Sequence, residues 1–350
     1  MKKIINYMLI AAMMVNMGSV SVIANDSVLY EQAEIEKVTK GLDYEYKEVF
    51  TKDGWMDVHT LIMDLKDEDL TVEFIKSVEE VGLKQKLTDL VDEYNVNNDD
   101  QNNDNQVVAG VNASFFNMAN GYSNPIGVNY DEGYTYGAHN YNVGYQDAAS
   151  IIETVDGKIM FDFFDFAINF TNEEGRELYF SGLNLVDPDN KVVLYNSDFD
   201  VTSERIDAKG SYYKLTVMDD VITAIAEPGV TCPIPVAEEG VTEEGYIFTI
   251  PEDIQEYHLP YFQVGTKVNL DIQTTIDTEN LKGSIGGGGV IIKDGEAVEL
   301  GLAAEPNYRH PRTAVGVTED GNTLIAMVVD GRGESIGATH GELIGFLQDY

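Results

Sequence analysis

The sequence predicts an α+β fold: a strand-rich single domain with a mixed sheet and few helices, preceded by a signal peptide. Three observations carry that expectation. From Val107 onward, strand-length apolar and β-branched runs alternate with Asp-Gly, Glu-Gly or Asn-rich turns, and no helix-length periodic stretch recurs until residue 340. Of 350 residues, 43% are hydrophobic and 10% aromatic, enough apolar material for a large core and too much for a disordered chain. Lys2 and Lys3 precede an apolar run from Ile4 to Val15, and Val22-Ile23-Ala24 supplies the small residue expected before a signal-peptidase cut.

Residues 1–24 therefore read as a secretory signal, with a membrane anchor as the alternative; Asn6 and Asn16 interrupt the run, which is short for a full span. The mature chain is expected to be secreted or at the cell surface. Residues 25–54 read as a leader, with a helix over Asp26–Lys40 on Leu29, Ala33, Ile35 and Val38, then a first strand over Tyr44–Phe50. The main domain, residues 55–350, starts with strands over Met56–Leu65 and Leu70–Ser77 and a helix over Gly82–Tyr94 on Leu83, Leu87, Leu90 and Val91. The Asn/Asp-rich run Asn95–Gln106 reads as a solvated loop. Calcium is its alternative occupant, although the ordered acid spacing and central glycine of a calcium loop are missing.

A buried strand at Val107–Val111 then leads into Asn112, which either holds a ligand hydroxyl or satisfies loop backbone groups. Cys232, the single cysteine, excludes an internal disulfide, and with no His nearby it reads as a small, partly buried residue. Gly286–Gly289 opens a strand and hairpin, not a helix, which rules out a phosphate-cradling nucleotide loop. Thr313–Val317 and Thr323–Val329 flank Glu319-Asp320-Gly321-Asn322, a tight hairpin turn, and the uniformly apolar second run predicts a strand buried on both faces. It empties into Asp330-Gly331-Arg332-Gly333. Thr339 and Glu342 have capping-box spacing before an apolar helix stripe at Leu343, Ile344 and Leu347.

The formal net charge of -39 disfavours nucleic acid and anionic surfaces as partners, since both would repel the chain. Polar groups at the mouth of a buried strand are candidates for chemistry. Asp330 is either a working carboxylate or a turn aspartate, and Arg312 either grips phosphate or pairs with one of 61 acids. His310 lies close to Arg312 in sequence, whereas His340 and Glu342 read as helix-start residues.

The ordered motifs VNASFF, NPIG, SGLN at Ser181–Asn184, IGGGGVIIKDG, HPRTAVGV and VVDGR followed by S-x-G-x-T resemble the phosphodiester glycosidase family from about Trp55 to Tyr350. The resemblance implies hydrolysis of a sugar-1-phosphodiester of the N-acetylglucosamine 1-phosphate type. A phosphorylated carbohydrate is then the partner; no residue is assigned as a metal ligand, and calcium is the one cofactor left open. The positions it carries over are Asp330, Arg312 and Asn112 as catalytic groups, with Arg332, Gly331 and Gly333 binding substrate; His310, beside Arg312 in sequence, and Asn184 of the SGLN segment are further substrate-binding candidates. Family members continue into a further buried strand ending in a Leu-Asp-Gly-Gly-Gly-Ser-like segment not found in these 350 residues, so the reading frame is expected to run past Tyr350. A non-catalytic module that binds phosphorylated glycan is the competing reading.

Overall fold

The computed structural model describes residues 28–76, 85–98, 106–116, 125–131, 134–139, 148–236, 245–301 and 305–350. The expected signal segment lies outside them, as does most of the Asn/Asp-rich run. In chain order the described elements begin with β1 (Val28–Thr39), β2 (Leu42–Thr51), β3 (Gly54–Asp64) and α1 (Leu87–Asn98). There follow β4 (Val128–Asp131), β5 (Tyr134–His139), β6 (Ala149–Thr154), β7 (Ile159–Phe163), β8 (Phe166–Asn172), β9 (Gly182–Leu183) and β10 (Val193–Tyr195). Next are α2 (Glu204–Asp207), β11 (Tyr212–Met218), β12 (Val221–Ala226), β13 (Gly245–Pro251), α3 (Gln255–His258), β14 (Val268–Thr274) and β15 (Leu281–Gly286). The chain closes with β16 (Val290–Lys293), β17 (Glu296–Leu300), β18 (Arg312–Val317), β19 (Thr323–Val329) and α4 (His340–Leu347).

These elements group into two compact units where the sequence suggests one domain. One comprises residues 1–75, 86–113 and 290–350, the other residues 76–85 and 114–289. The backbone passes between them several times, so no single linker of distinctive composition marks a boundary. The second unit carries a ten-stranded sheet in the order β12-β11-β13-β10-β9-β5-β4-β15-β6-β7, and the β14-β8 pair. The ten-stranded sheet is mixed, because β9 and β10 run parallel. Its core is aromatic: the Phe170 ring lies 5.1 Å from those of Phe180 and Phe248, both edge-on. Such pairs add about 1 kcal/mol beyond area burial.

The first unit carries a five-stranded sheet, β1-β2-β3-β19-β18, antiparallel throughout. Strand alternation sorts its side chains. Val49, Met56, Val58, Met327 and Val329 point to one face, where Leu343 and Phe346 of α4 pack on them. Tyr44, Tyr46, Asp57 and His59 point to the other, here called the polar face. The Thr323–Val329 run is a largely buried strand, and its hairpin turns at Gly321 with φ 71°. Thr339 and Glu342 form the anticipated capping box.

Three local expectations need correction. Residues Asp26–Lys40 have helical apolar spacing, but the described part, from Val28, is strand β1, paired with β2 from Val28 to Thr39. Leu29 and Ile35 are exposed, so no apolar helix stripe exists for tertiary packing to reward. The described part of Leu70–Ser77 is irregular, and Val107–Ala113 forms no strand with any other described segment, with Val108 exposed. Apolar composition without a partner strand is not enough to make a ladder. The helix expected over Gly82–Tyr94 is present as α1, starting at Leu87; residues 82–84 lie outside the described chain.

Candidate functional site

The segment after β19 is fastened to the start of β3. Asp330 N donates to Asp57 O at 2.9 Å, and Ile336 N donates to Trp55 O at 2.8 Å. Between them Ser335 Oγ donates to Asp330 O at 2.6 Å and accepts from Asp57 N at 3.1 Å. One hydroxyl thus closes the loop on both sides. Gly331 has no room for a side chain, since a Cβ would lie 2.8 Å from Pro311 N. Arg332 adopts φ 64°, a left-handed conformation uncommon for a residue with a Cβ and a frequent mark of functional loops.

The loop turns the Asp330 carboxylate onto the polar face while leaving it 60% exposed, with Oδ2 3.6 Å from His59 Nε2. His59 Nδ1 shares a 2.7 Å hydrogen bond with the Tyr44 hydroxyl, and the Tyr46 ring lies 5.3 Å from the imidazole. Tyr46 in turn donates to Asp57 Oδ1 at 2.9 Å. Burial, then the charges of Asp330 and Glu36, holds the Tyr44 phenol above its ordinary value. Burial and Asp57 do the same for Tyr46. In the tautomer in which Tyr44 donates, a neutral His59 ring accepts at Nδ1 and carries its proton on Nε2, toward Asp330. An exposed carboxylate beside an oriented imidazole can attack a carbon centre or take a proton from water.

His59, Tyr44, Tyr46 and Asp57 were not among the residues singled out from sequence. The alternation Tyr44-Tyr46-Glu48 and Trp55-Asp57-His59 across the β2–β3 hairpin would have placed them on one face. Nothing local ties that face to Asp330.

Arg312 falls elsewhere. Its register partner is Val329, which places it on the helix face, opposite Asp330. It is 9% exposed, and Nε donates to Ala338 O at 3.2 Å while Nη2 donates to Glu305 O at 2.8 Å and Tyr308 O at 2.9 Å. Burial pulls its guanidinium below its ordinary pKa, against the opposing charge of Glu305. Asn112 is exposed and accepts from Thr313 Oγ1 at 2.9 Å, next to Arg312 in sequence but on the polar face. His310 pairs with Ala338 through its backbone, and its Nε2 lies 2.7 Å from Glu305 Oε2 without hydrogen-bond alignment. Glu342 both caps α4 and forms a two-pronged ion pair with Arg309, at 2.6 and 2.8 Å. Asn184 belongs to the other unit, where it is fully buried and exchanges hydrogen bonds with Asn196 at 2.6 and 3.1 Å. The structure therefore brings Asp330, Gly331, Arg332 and Gly333 together in one loop and does not join Arg312 to the Asp330 carboxylate. Among the described residues, no group of three or more His, Cys, Asp or Glu side chains is set to hold a metal ion.

No curated protein matches the chain. Among solved structures it is similar to a hypothetical protein from Synechocystis, with TM-score 0.68 and 17% identity over 90% of this chain and 56% of that one. It is also similar to a protein assigned as exported from Burkholderia pseudomallei K96243, with TM-score 0.65 and 14% identity over 96% of this chain and 91% of that one. The chain thus spans little more than half the length of the Synechocystis protein, and at these identities the likeness is one of fold. The family match covers a narrower range than the motif order suggests, and that range includes β18, β19 and the Asp330 loop: residues 219–350 match the phosphodiester glycosidase family.

Proposed function

We propose that the protein is a secreted phosphodiester glycosidase that cleaves the anomeric C–O bond of a sugar-1-phosphodiester, of the N-acetylglucosamine 1-phosphate type, on a glycan or cell-wall polymer. The observation that carries this reading is the exposed Asp330 carboxylate, fixed at the end of β19 within the matched range and 3.6 Å from His59. The reaction builds positive charge on the sugar and expels a phosphate that needs little acid assistance. Asp330 serves as nucleophile or as base toward water. Arg332, exposed two residues away, offers paired donors to the departing phosphate. Arg312, spent on main-chain carbonyls, shapes the segments around the site. The lysines and apolar run of residues 1–24, and the export assigned to one structural neighbour, support a secretory signal there. Among the described residues no helix is long and apolar enough to cross a membrane.

A non-catalytic module that binds phosphorylated glycan is the second reading. It is favoured by the placement of Arg312 and Asp330 on opposite faces of the sheet. Incubation with an alkyl N-acetylglucosamine phosphodiester separates the two: the enzyme releases free sugar, whereas the module binds saturably without release. In the enzyme, Asp330→Asn lowers kcat at least about a hundredfold with an unchanged circular dichroism spectrum. Undiminished turnover in that variant removes Asp330 from the reaction.

A further inference from the structure

The polar face does not end at His59. Tyr30 of β1, Phe50 of β2 and Trp55 of β3 lie in register across three strands on that same face. The Phe50 and Trp55 rings are 4.7 Å apart, and Tyr30 meets Trp55 edge-on at 6.0 Å. Three cross-strand aromatics would ordinarily be buried by a neighbouring layer, yet Trp55 remains 44% exposed and Tyr30 46%. The plate is bordered by acceptors. Asp57 follows Trp55 on the same face, Glu48 stands opposite Asp57, and Gln32 Oε1 accepts from the Tyr30 hydroxyl at 2.5 Å.

Spacing links the plate to the candidate site. Trp55 and Asp57 are two residues apart on one strand, about 7 Å, and it is Asp57 whose carbonyl holds Asp330 in place. A ligand centred on Asp330 and extended by one ring along β3 would lie over the indole. A pyranose has an apolar C–H face that packs on an aromatic ring and hydroxyls at its rim that donate to carboxylates. The plate offers both kinds of partner. Its charge also selects. Glu48, Asp57 and Asp330 repel an anion, and a chain of net charge -39 repels a second copy of itself.

We infer that Trp55, Tyr30 and Phe50, bordered by Glu48 and Asp57, form a subsite for a neutral pyranose residue of the glycan, one ring removed from Asp330. The subsite's orientation toward Asp330 rests on the glycosidase reading; its affinity for sugar does not. Consequently the sugar end of the substrate lies along β3 and the phosphate lies away from it, toward Arg332.

Trp55 is the sole tryptophan, so tryptophan emission, excited selectively over the 20 tyrosines, reports on this plate alone. Titrating the full chain with the neutral trisaccharide of N-acetylglucosamine should give a saturable change in emission, with N-acetylglucosamine 1-phosphate at least tenfold weaker. Tyr30→Ala, which keeps the reporter, should weaken the trisaccharide response at least tenfold. Unchanged emission with trisaccharide in the folded wild-type protein overturns the subsite, as does a Tyr30→Ala protein that responds like wild type. Phosphodiester hydrolysis measured on the same preparations keeps the two ideas apart. Turnover without a fluorescence response removes the subsite only, whereas a response without turnover removes the enzymatic reading and leaves the sugar site standing.

Discussion

The guanidinium of Arg312 gives its Nε hydrogen to Ala338 and its Nη2 hydrogens to Glu305 and Tyr308, tying the segment before β18 to the segment before α4. Hydrogen bonds from a charged donor contribute about 1.5–3 kcal/mol each, and a lysine ammonium cannot reproduce the planar fork. Arg312→Lys and Arg312→Ala should therefore both lower unfolding free energy by about 2–4 kcal/mol in urea. If Arg312→Ala keeps wild-type stability but loses turnover, the side chain works on phosphate and the scaffold role given to it here is wrong. Asp330 presents the reverse case. Its main chain is tied down by Asp57 and Ser335 and its carboxylate is left in reach of solvent, so the backbone bears the structural role and the side chain is available for chemistry.

At the scale of elements, what the sequence reveals depends on how far its partners lie along the chain. The Asp320-Gly321 hairpin and the Thr339/Glu342 capping box are complete within a few residues, and the structure contains both. Strand β1 is different, because its choice of strand over helix depends on pairing with β2 and not on its own apolar spacing. The candidate site divides along the same line. Asp330 and its glycines are a local motif, whereas the His59 contact requires the β3–β19 register, which pairs two ends of the chain. Arg312 lies on the opposite face from Asp330 because strand alternation, not proximity in the motif, decides which face a side chain takes. The loop leading into α4 offers a direct check. Gly337 has φ 76°, and a Cβ there would lie 2.6 Å from the His310 carbonyl. Gly337→Ala should cost about 2 kcal/mol or more, read by urea unfolding. An unchanged midpoint would show that the His310–Ala338 pairing does not hold the loop.

Across the whole molecule, buried phenols set a limit on alkaline stability. In the second unit Tyr195 is fully buried and donates to Leu185 O at 2.9 Å, and burial raises it well above the ordinary tyrosine value. Burial also raises Tyr212 and Tyr246. A group whose folded pKa exceeds its unfolded one gives its full stabilisation below the unfolded value, about 10, and loses it as pH rises from there toward the folded value. Each such tyrosine then costs about 1.4 kcal/mol per pH unit. The charge of -39 also opposes compactness, but it already acts at neutral pH and salt screens it. Unfolding free energy measured at high salt should thus be level from pH 8 to about 9.5 and fall steeply above 10. Tyr195→Phe should start lower by about 1 kcal/mol, for the lost hydrogen bond, and fall less steeply above pH 10. A variant with the wild-type slope would mean that ionisation of this phenol does not drive the alkaline loss, leaving the rising net charge as its cause.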